Sequence, residues 1–167
     1  MRTIATLLVS VAALSIAPAA FAQPATTIAY SPEFQTSLQD EFGVREGEAL
    51  QRYVHRAIER EFARRGVAST AASVDVTIVE ADPNRPTMEQ LGHTPGLDML
   101  RSISIGGAEL RATVRRADGS TAEVTHRRYD QSIDDVALEA PGTWTSAERA
   151  IRQFAVKVAD AYAQSAG

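Results

Sequence analysis

The chain has 167 residues, a formal net charge of −4 and no cysteine. The length fits one domain, the acidic balance argues against nucleic-acid binding, which rests on surplus Lys and Arg, and the missing cysteine excludes disulfides, thiolate chemistry, thiolate metal sites and a lipidated-cysteine anchor. Stability must come from packing, which suffices at this size because about 68–70% of the unfolded chain's surface can be buried.

Arg2, the apolar run from Leu7 to Ile16 and the small-residue ending Ala20-Phe21-Ala22 read as a secretory signal peptide over residues 1–22, with cleavage expected near Ala22. The run is too short to span a bilayer. Residues 23–167 are therefore expected to form a single α+β domain, periplasmic or secreted, without a stable membrane anchor. Such a domain works where ATP and NAD(P)H are not freely supplied, and no phosphate-cradling glycine loop is present in the chain, so no cofactor is expected.

Ile28 and Tyr30 alternate within Thr26 to Phe34 and predict a first strand, interrupted by Pro32. Leu50, Val54, Ile58 and Phe62 then recur every four residues, supported by Tyr53 and Ala57, and predict a helix from Gly47 to Arg65 stopped by Gly66. Burying those four side chains is worth about 1.5–3 kcal/mol each, which outweighs propensity and sets the inward face. Val74, Val76 and Ile78 alternate with Asp75 and Thr77, a strand ended by Asp82-Pro83.

Residues 82–101 lack periodicity and form the expected binding loop, with Thr87 able to cap a short helical turn through Leu91. In Ser102 to Arg116 the apolar positions are odd at Ile103 and Ile105 but even at Ala108, Leu110, Ala112 and Val114. A continuous strand with that pattern needs a bulge or bend at Gly106-Gly107. Ala117-Asp118-Gly119 then reads as a three-residue hairpin loop with Gly119 left-handed, which sets Val114 opposite Ala122 and Ala112 opposite Val124. The opposite face becomes polar, pairing Arg115 with Thr121, Thr113 with Glu123, Arg111 with Thr125 and Glu109 with Arg127.

Thr145 and Glu148 have capping-box spacing ahead of a second helix, whose inner face is Ile151, Phe154, Ala155, Val158 and Tyr162. The order β-α-β-β-β-α predicts an antiparallel-rich sheet of about four strands with two helices packed on one face.

The three histidines, His55, His93 and His126, fall on separate elements with no metal-ligand spacing between any two, so no metal site is expected. His126 reads as a hydrogen-bonded core residue, and His55 with Glu59 as a solvated pair. No Gly-x-Ser-x-Gly elbow is present, and Ser102, Ser104 and Ser146 read as strand and helix-start residues. Asp130, Asp134, Asp135 and Glu139 read as a solvated acidic loop without the spaced ligands of a calcium site. No catalytic residue is assigned. Trp144 reads as a staple of the second helix to the core.

Two sets of binding residues stand out. Asn84, Arg85, Thr87, Gln90 and His93 bring donors and acceptors to the long loop without an arranged nucleophile and base. Arg52, Arg56, Arg60 and Arg64 form one stripe at i, i+4 spacing, about 200° around the helix from the apolar one. Like charges so spaced repel by about 0.2–0.5 kcal/mol per pair, which fits either a charge-rich solvent face relieved by nearby Glu48, Glu59 and Glu61 or an anionic partner.

The segments Pro83-Asn84-Arg85-Pro86-Thr87, Ile105-Gly106-Gly107-Ala108 and Thr143-Trp144-Thr145, in that order, resemble small exported proteins and lipoproteins of Gram-negative bacterial envelopes to which no activity is assigned. The resemblance implies a location and a fold, and it carries over no site residue. Lipoprotein members would hold a modified cysteine after the signal, where this chain has none. The expected function is a non-enzymatic envelope-associated binding or accessory protein whose partner is an envelope protein or an anionic envelope component. A cofactor-independent hydrolase is the alternative, requiring Arg85, His93 or His126 to meet an acidic group in a pocket. A peripheral binder of anionic lipid or lipopolysaccharide is the third reading. Neither the ligand nor the oligomeric state is legible.

Overall fold

A computed structural model describes residues 25–66, 73–116, 118–137 and 142–164. The expected signal peptide with its cleavage site, Ala117, Glu139 and the side chain of Asp135 lie outside the described residues. Four strands, β1 (Ala25–Tyr30), β2 (Ser73–Asp82), β3 (Gly107–Arg115) and β4 (Thr121–Tyr129), form one sheet in the order β1-β2-β3-β4. β1 runs parallel to β2 and the other pairs are antiparallel. The expected α+β fold with a mostly antiparallel four-stranded sheet is what the chain adopts.

The first departure comes at Ser31. Its hydroxyl accepts from the Phe34 N–H (3.1 Å) and donates to the Val79 carbonyl (2.7 Å), while Pro32 supplies a preset φ at the first helical position. The expected first strand ends at Tyr30, ahead of Pro32, and instead of resuming the chain turns into α1 (Pro32–Ser37) and a π-helical turn over Leu38–Phe42. Phe34, Leu38 and Phe42 are thereby delivered to the core. α2 (Val44–Arg64) starts three residues before the expected Gly47 and stops at Gly66, whose φ is +60°.

The stripe Leu50, Val54, Ile58 and Phe62 is buried throughout. It shares one core with Val74, Val76 and Ile78 of β2, Leu110, Ala112 and Val114 of β3, and Ile151, Phe154, Ala155 and Val158 of α5 (Thr145–Ala163). α5 lies against β3 and β4, with α2 beside it and over β1, so the two long helices cover one face of the sheet. Three short helices join them: α1, α3 (Met88–His93) and α4 (Ile133–Ala137). Tyr162 closes the far end by an edge-on contact with Phe62 at 5.5 Å.

The hairpin has the expected register, with Val114 opposite Ala122, Ala112 opposite Val124 and Glu109 opposite Arg127. Gly119 sits at φ +82°, a conformation that only glycine enters without strain. The parity slip has a different cause from the one expected. Ile103 and Ile105 do not belong to the strand, which begins at Gly107, and the bulge lies in β2 at Val79. That bulge lets Val74, Val76, Ile78 and Ala81 all face the core although their spacing changes.

Gly107 is required by proximity, since a Cβ there would meet the Arg128 carbonyl and approach Tyr129 Cα to 2.6 Å. Gly107→Ala is expected to lower stability by about 1–3 kcal/mol, the range for overpacked sites. Gly92→Ala is the control, because open space surrounds a Cβ in α3 and the change should be neutral or stabilising. Urea unfolding of the two variants measures the contrast.

Candidate binding site

The binding loop is built around Asn84, which is fully buried where β2 runs out. Its Nδ2 donates to Asp130 Oδ2 (3.0 Å) and to the Ser104 carbonyl (3.3 Å), and its Oδ1 accepts from the Ser146 N–H (2.8 Å). Its backbone N–H donates to the Thr143 carbonyl (2.7 Å), and its own carbonyl accepts from the Ser104 N–H (3.0 Å). Asp130, with a side chain only 5% exposed, also accepts from Ser146 Oγ (2.5 Å) and lies 3.8 Å from the Arg149 guanidinium. Four segments distant in sequence meet at this one amide.

Ser146 stands in the first turn of α5, where backbone N–H groups have no partner within the helix. Trp144 occupies the cap position and offers no capping oxygen, so Asn84 caps the helix from another element and Asp130 places negative charge near its positive end. Two expectations fall here. The Thr145/Glu148 capping box does not form, because Thr145 Oγ1 bonds Gly142 instead. Asp130 is a buried junction, not part of a solvated acidic loop. Trp144 does staple the helix, donating from Nε1 to Glu46 Oε2 (2.6 Å) and meeting Phe42 edge-on at 5.9 Å.

From Asn84 onward the loop is tied down by its polar groups. Thr87 and Gln90 form a complete capping box on α3, and Gln90 Nε2 donates to Glu41 Oε1 (2.8 Å), linking α3 to the π-helical turn. Arg85 donates to the Met99 (3.1 Å) and Leu100 (2.5 Å) carbonyls. Asp98 Oδ1 accepts from the N–H groups of Leu100 and Arg101, both at 2.8 Å. Ser104 Oγ donates to the Pro83 carbonyl (2.5 Å).

These bonds hold apolar side chains outward: Leu100 is 76% exposed, Met88 69%, Ile105 42% and Met99 40%. Beside them opens a cleft of about 390 Å³ lined by Phe42, Pro83, Pro86, Leu97, Ile103 and Ile105, with Glu41 and Asp82 at its polar side. Burial, followed by the charges of Glu80 and Glu41, raises the Asp82 carboxyl above its ordinary range. A carboxyl whose folded pKa lies above its unfolded one destabilises the fold at neutral pH, and the penalty is relieved as pH falls through the raised pKa. Asp82→Asn is therefore expected to raise the melting temperature at pH 7, by an amount that shrinks as pH falls toward the unfolded carboxyl's 3.8, which thermal melts across that interval would measure.

The residues singled out from sequence have divided fates. Asn84 and Thr87 are buried and structural, and Arg85 and Gln90 tether the loop, so these four shape the site instead of presenting it. His93 is exposed and pairs with Glu89 at 3.3 Å on its own helix. His126 faces Gln153 of α5 (3.2 Å), and burial followed by Lys157 lowers its pKa. Arg85, His93 and His126 stand on the loop, on α3 and on β4, and none lines the cleft.

On α2, Arg52 pairs with Glu48 (3.9 Å), Arg64 with Glu61 (3.1 Å), and Arg56 lies 5.1 Å from the centre of the Tyr53 ring. His55 pairs with Glu59 at 3.2 Å, the solvated pair expected. Among the described residues no cluster of three His, Cys, Asp or Glu is placed to hold a metal ion, and no helix is long and apolar enough to cross a membrane.

The exposed apolar set was not singled out from sequence. Its signal is present in Leu97, Met99, Leu100, Ile103 and Ile105, a concentration of large apolar residues that fits neither a period of 2 nor one of 3.6. No protein-family model matches the chain, and no curated protein matches it.

Proposed function

We propose that the chain is a non-enzymatic binding or accessory protein of the cell envelope, exported to the periplasm or beyond, that grips a protein partner with the outer surface of the 97–105 loop and the cleft beside it. One observation carries this reading. The loop's backbone is fixed by Asn84, Arg85, Asp98 and Ser104, yet Met99, Leu100 and Ile105 face solvent. Each large apolar side chain left in water forgoes about 1.5–3 kcal/mol of burial. A loop held in one conformation also loses less entropy when a partner covers it. Clustered exposed apolar groups beside a cleft are the usual mark of a recognition surface.

The separate placement of Arg85, His93 and His126 favours binding over hydrolysis, which needs a nucleophile, a base and an orienting group in one place. The test is photo-crosslinking in envelope extract with a reactive side chain placed at Leu100, and a second placed at Thr125 on the polar face of the sheet. A discrete adduct is expected from position 100 and none from position 125. Equal labelling from both positions would remove the proposal.

A further inference from the structure

Away from the loop, α2 and α5 enclose a trench whose walls carry arginines from both helices. One stretch, about 270 Å³, is lined by Tyr53, Arg56 and Arg60 of α2 and by Glu148, Ile151 and Arg152 of α5. The next, about 400 Å³, shares Arg60 and Arg152 and adds Arg64 and Glu61, with Val156 on its apolar side. Ala57 is common to both and is too small to fill the space between the helices.

The carboxylates in the trench are already engaged. Glu61 lies 3.1 Å from Arg64 and 3.8 Å from Arg65, and Glu148 lies 3.8 Å from Arg152 and faces Tyr53. Arg65, just outside, has Asp160 at 2.6 Å. Among the described residues no carboxylate lies within 4 Å of Arg56 or Arg60. Arg56 rests against the Tyr53 ring, which orders it without cancelling its charge. Four residues of helix place Arg56 and Arg60 about 6 Å apart along the axis, with Arg152 facing them from the second helix.

We infer that this trench is a binding site for a phosphate monoester, held by the guanidinium groups of Arg56, Arg60 and Arg152. Arginine suits that role because its planar fork donates two parallel hydrogen bonds to one phosphate, where lysine offers a point charge. A monoester dianion matches the two positive charges that the trench's own carboxylates leave uncancelled. The apolar side formed by Ala57, Ile151 and Val156 accommodates a carbon skeleton attached to the phosphate. The site is independent of the loop surface, and either can fail alone.

The test uses the domain of residues 23–167 with two sources of the same chemistry. Soluble glycerol 3-phosphate, a monoester, is titrated by calorimetry, and vesicles of phosphatidylcholine are prepared with either phosphatidic acid, a monoester, or phosphatidylglycerol, a diester, at equal surface charge. Saturable binding of glycerol 3-phosphate, or binding to phosphatidic acid in clear excess over phosphatidylglycerol, is expected; the first points to a free ligand and the second to a membrane headgroup. Arg60→Gln and Arg152→Gln should each weaken that binding by about tenfold or more, the scale of a lost charge-assisted bond. Both side chains are exposed, so the melting temperature should hold or rise as like-charge repulsion is relieved. Absence of binding to every probe overturns the site. Equal binding to both anionic vesicles that survives Arg60→Gln and Arg152→Gln also overturns it, because that is diffuse surface attraction.

Discussion

Asn84→Ala is expected to lower the stability of the fold by about 3–5 kcal/mol, more than any other single polar substitution described above. The magnitude follows from what is left behind. The variant strips a donor from Asp130, whose side chain is 5% exposed, and the acceptor from the Ser146 N–H in the first turn of α5. Each buried group left unsatisfied costs about 1–3 kcal/mol, more when charged.

The same substitution releases the Ser104 carbonyl, so exchange protection should fall in both the start of α5 and the 98–104 segment. Asn84→Asp separates hydrogen bonding from charge. It keeps an acceptor for Ser146 but sets a second carboxylate against Asp130, so its destabilisation should shrink as pH falls and one of the pair is protonated. Urea unfolding with an unchanged m-value would confirm that the native state, not the denatured one, has been altered. A loss below about 1 kcal/mol would mean that Asn84 does not organise this junction.

The second large effect falls on binding more than on stability. The backbone at Met99 and Leu100 is held by bonds from the Arg85 and Asp98 side chains, with Leu100 76% exposed and Met99 40%. Leu100→Ser should therefore change folding stability by no more than about 0.5 kcal/mol, as for ordinary surface positions, and Met99→Ser, from a more covered side chain, should cost about 1 kcal/mol. If the pair anchors an interface, the same change should cost about 2 kcal/mol or more of binding, roughly thirtyfold in affinity. Arg85→Ala offers an independent route to the same weakening, because it leaves the apolar side chains unaltered and removes the bonds to the Met99 and Leu100 carbonyls. It should weaken binding through loss of preorganisation and raise the exchange rate of the 97–101 amides.

Features that rest on periodicity were legible from the chain. The apolar stripe of α2, the inner face of α5, the polar face of the hairpin and the left-handed Gly119 follow from spacing and turn chemistry alone. Features that rest on long-range polar contacts were not. Asn84 and Asp130 are 46 residues apart, and each looks like an ordinary loop residue until the fold buries them together. Thr145 has Glu148 at capping-box spacing, but the helix takes Trp144 as its cap, and Thr145, its first residue, bonds Gly142 instead. The parity slip shows a similar limit, since it is visible in sequence while its cause, a strand that begins only at Gly107, is not. α1 was hidden for a local reason: Ser31-Pro32-Glu33 is a helix start, but Pro32 was read as a strand breaker.

The irregular 82–101 stretch is visible in the chain, whereas Met99, Leu100 and Ile105, proposed to make the contact, follow no period that would mark them. The polar side chains that drew attention are spent on holding the loop, which is why the surface they leave exposed is apolar. Capture from envelope extract by the domain of residues 23–167, compared with Met99→Ser/Leu100→Ser at low and high salt, tests this most directly. The account predicts a defined partner protein retained by the unaltered domain at both salt concentrations and lost with the double substitution, as expected of a contact driven by apolar burial. Capture that ignores the substitution, or that disappears in high salt for the unaltered domain, would contradict it.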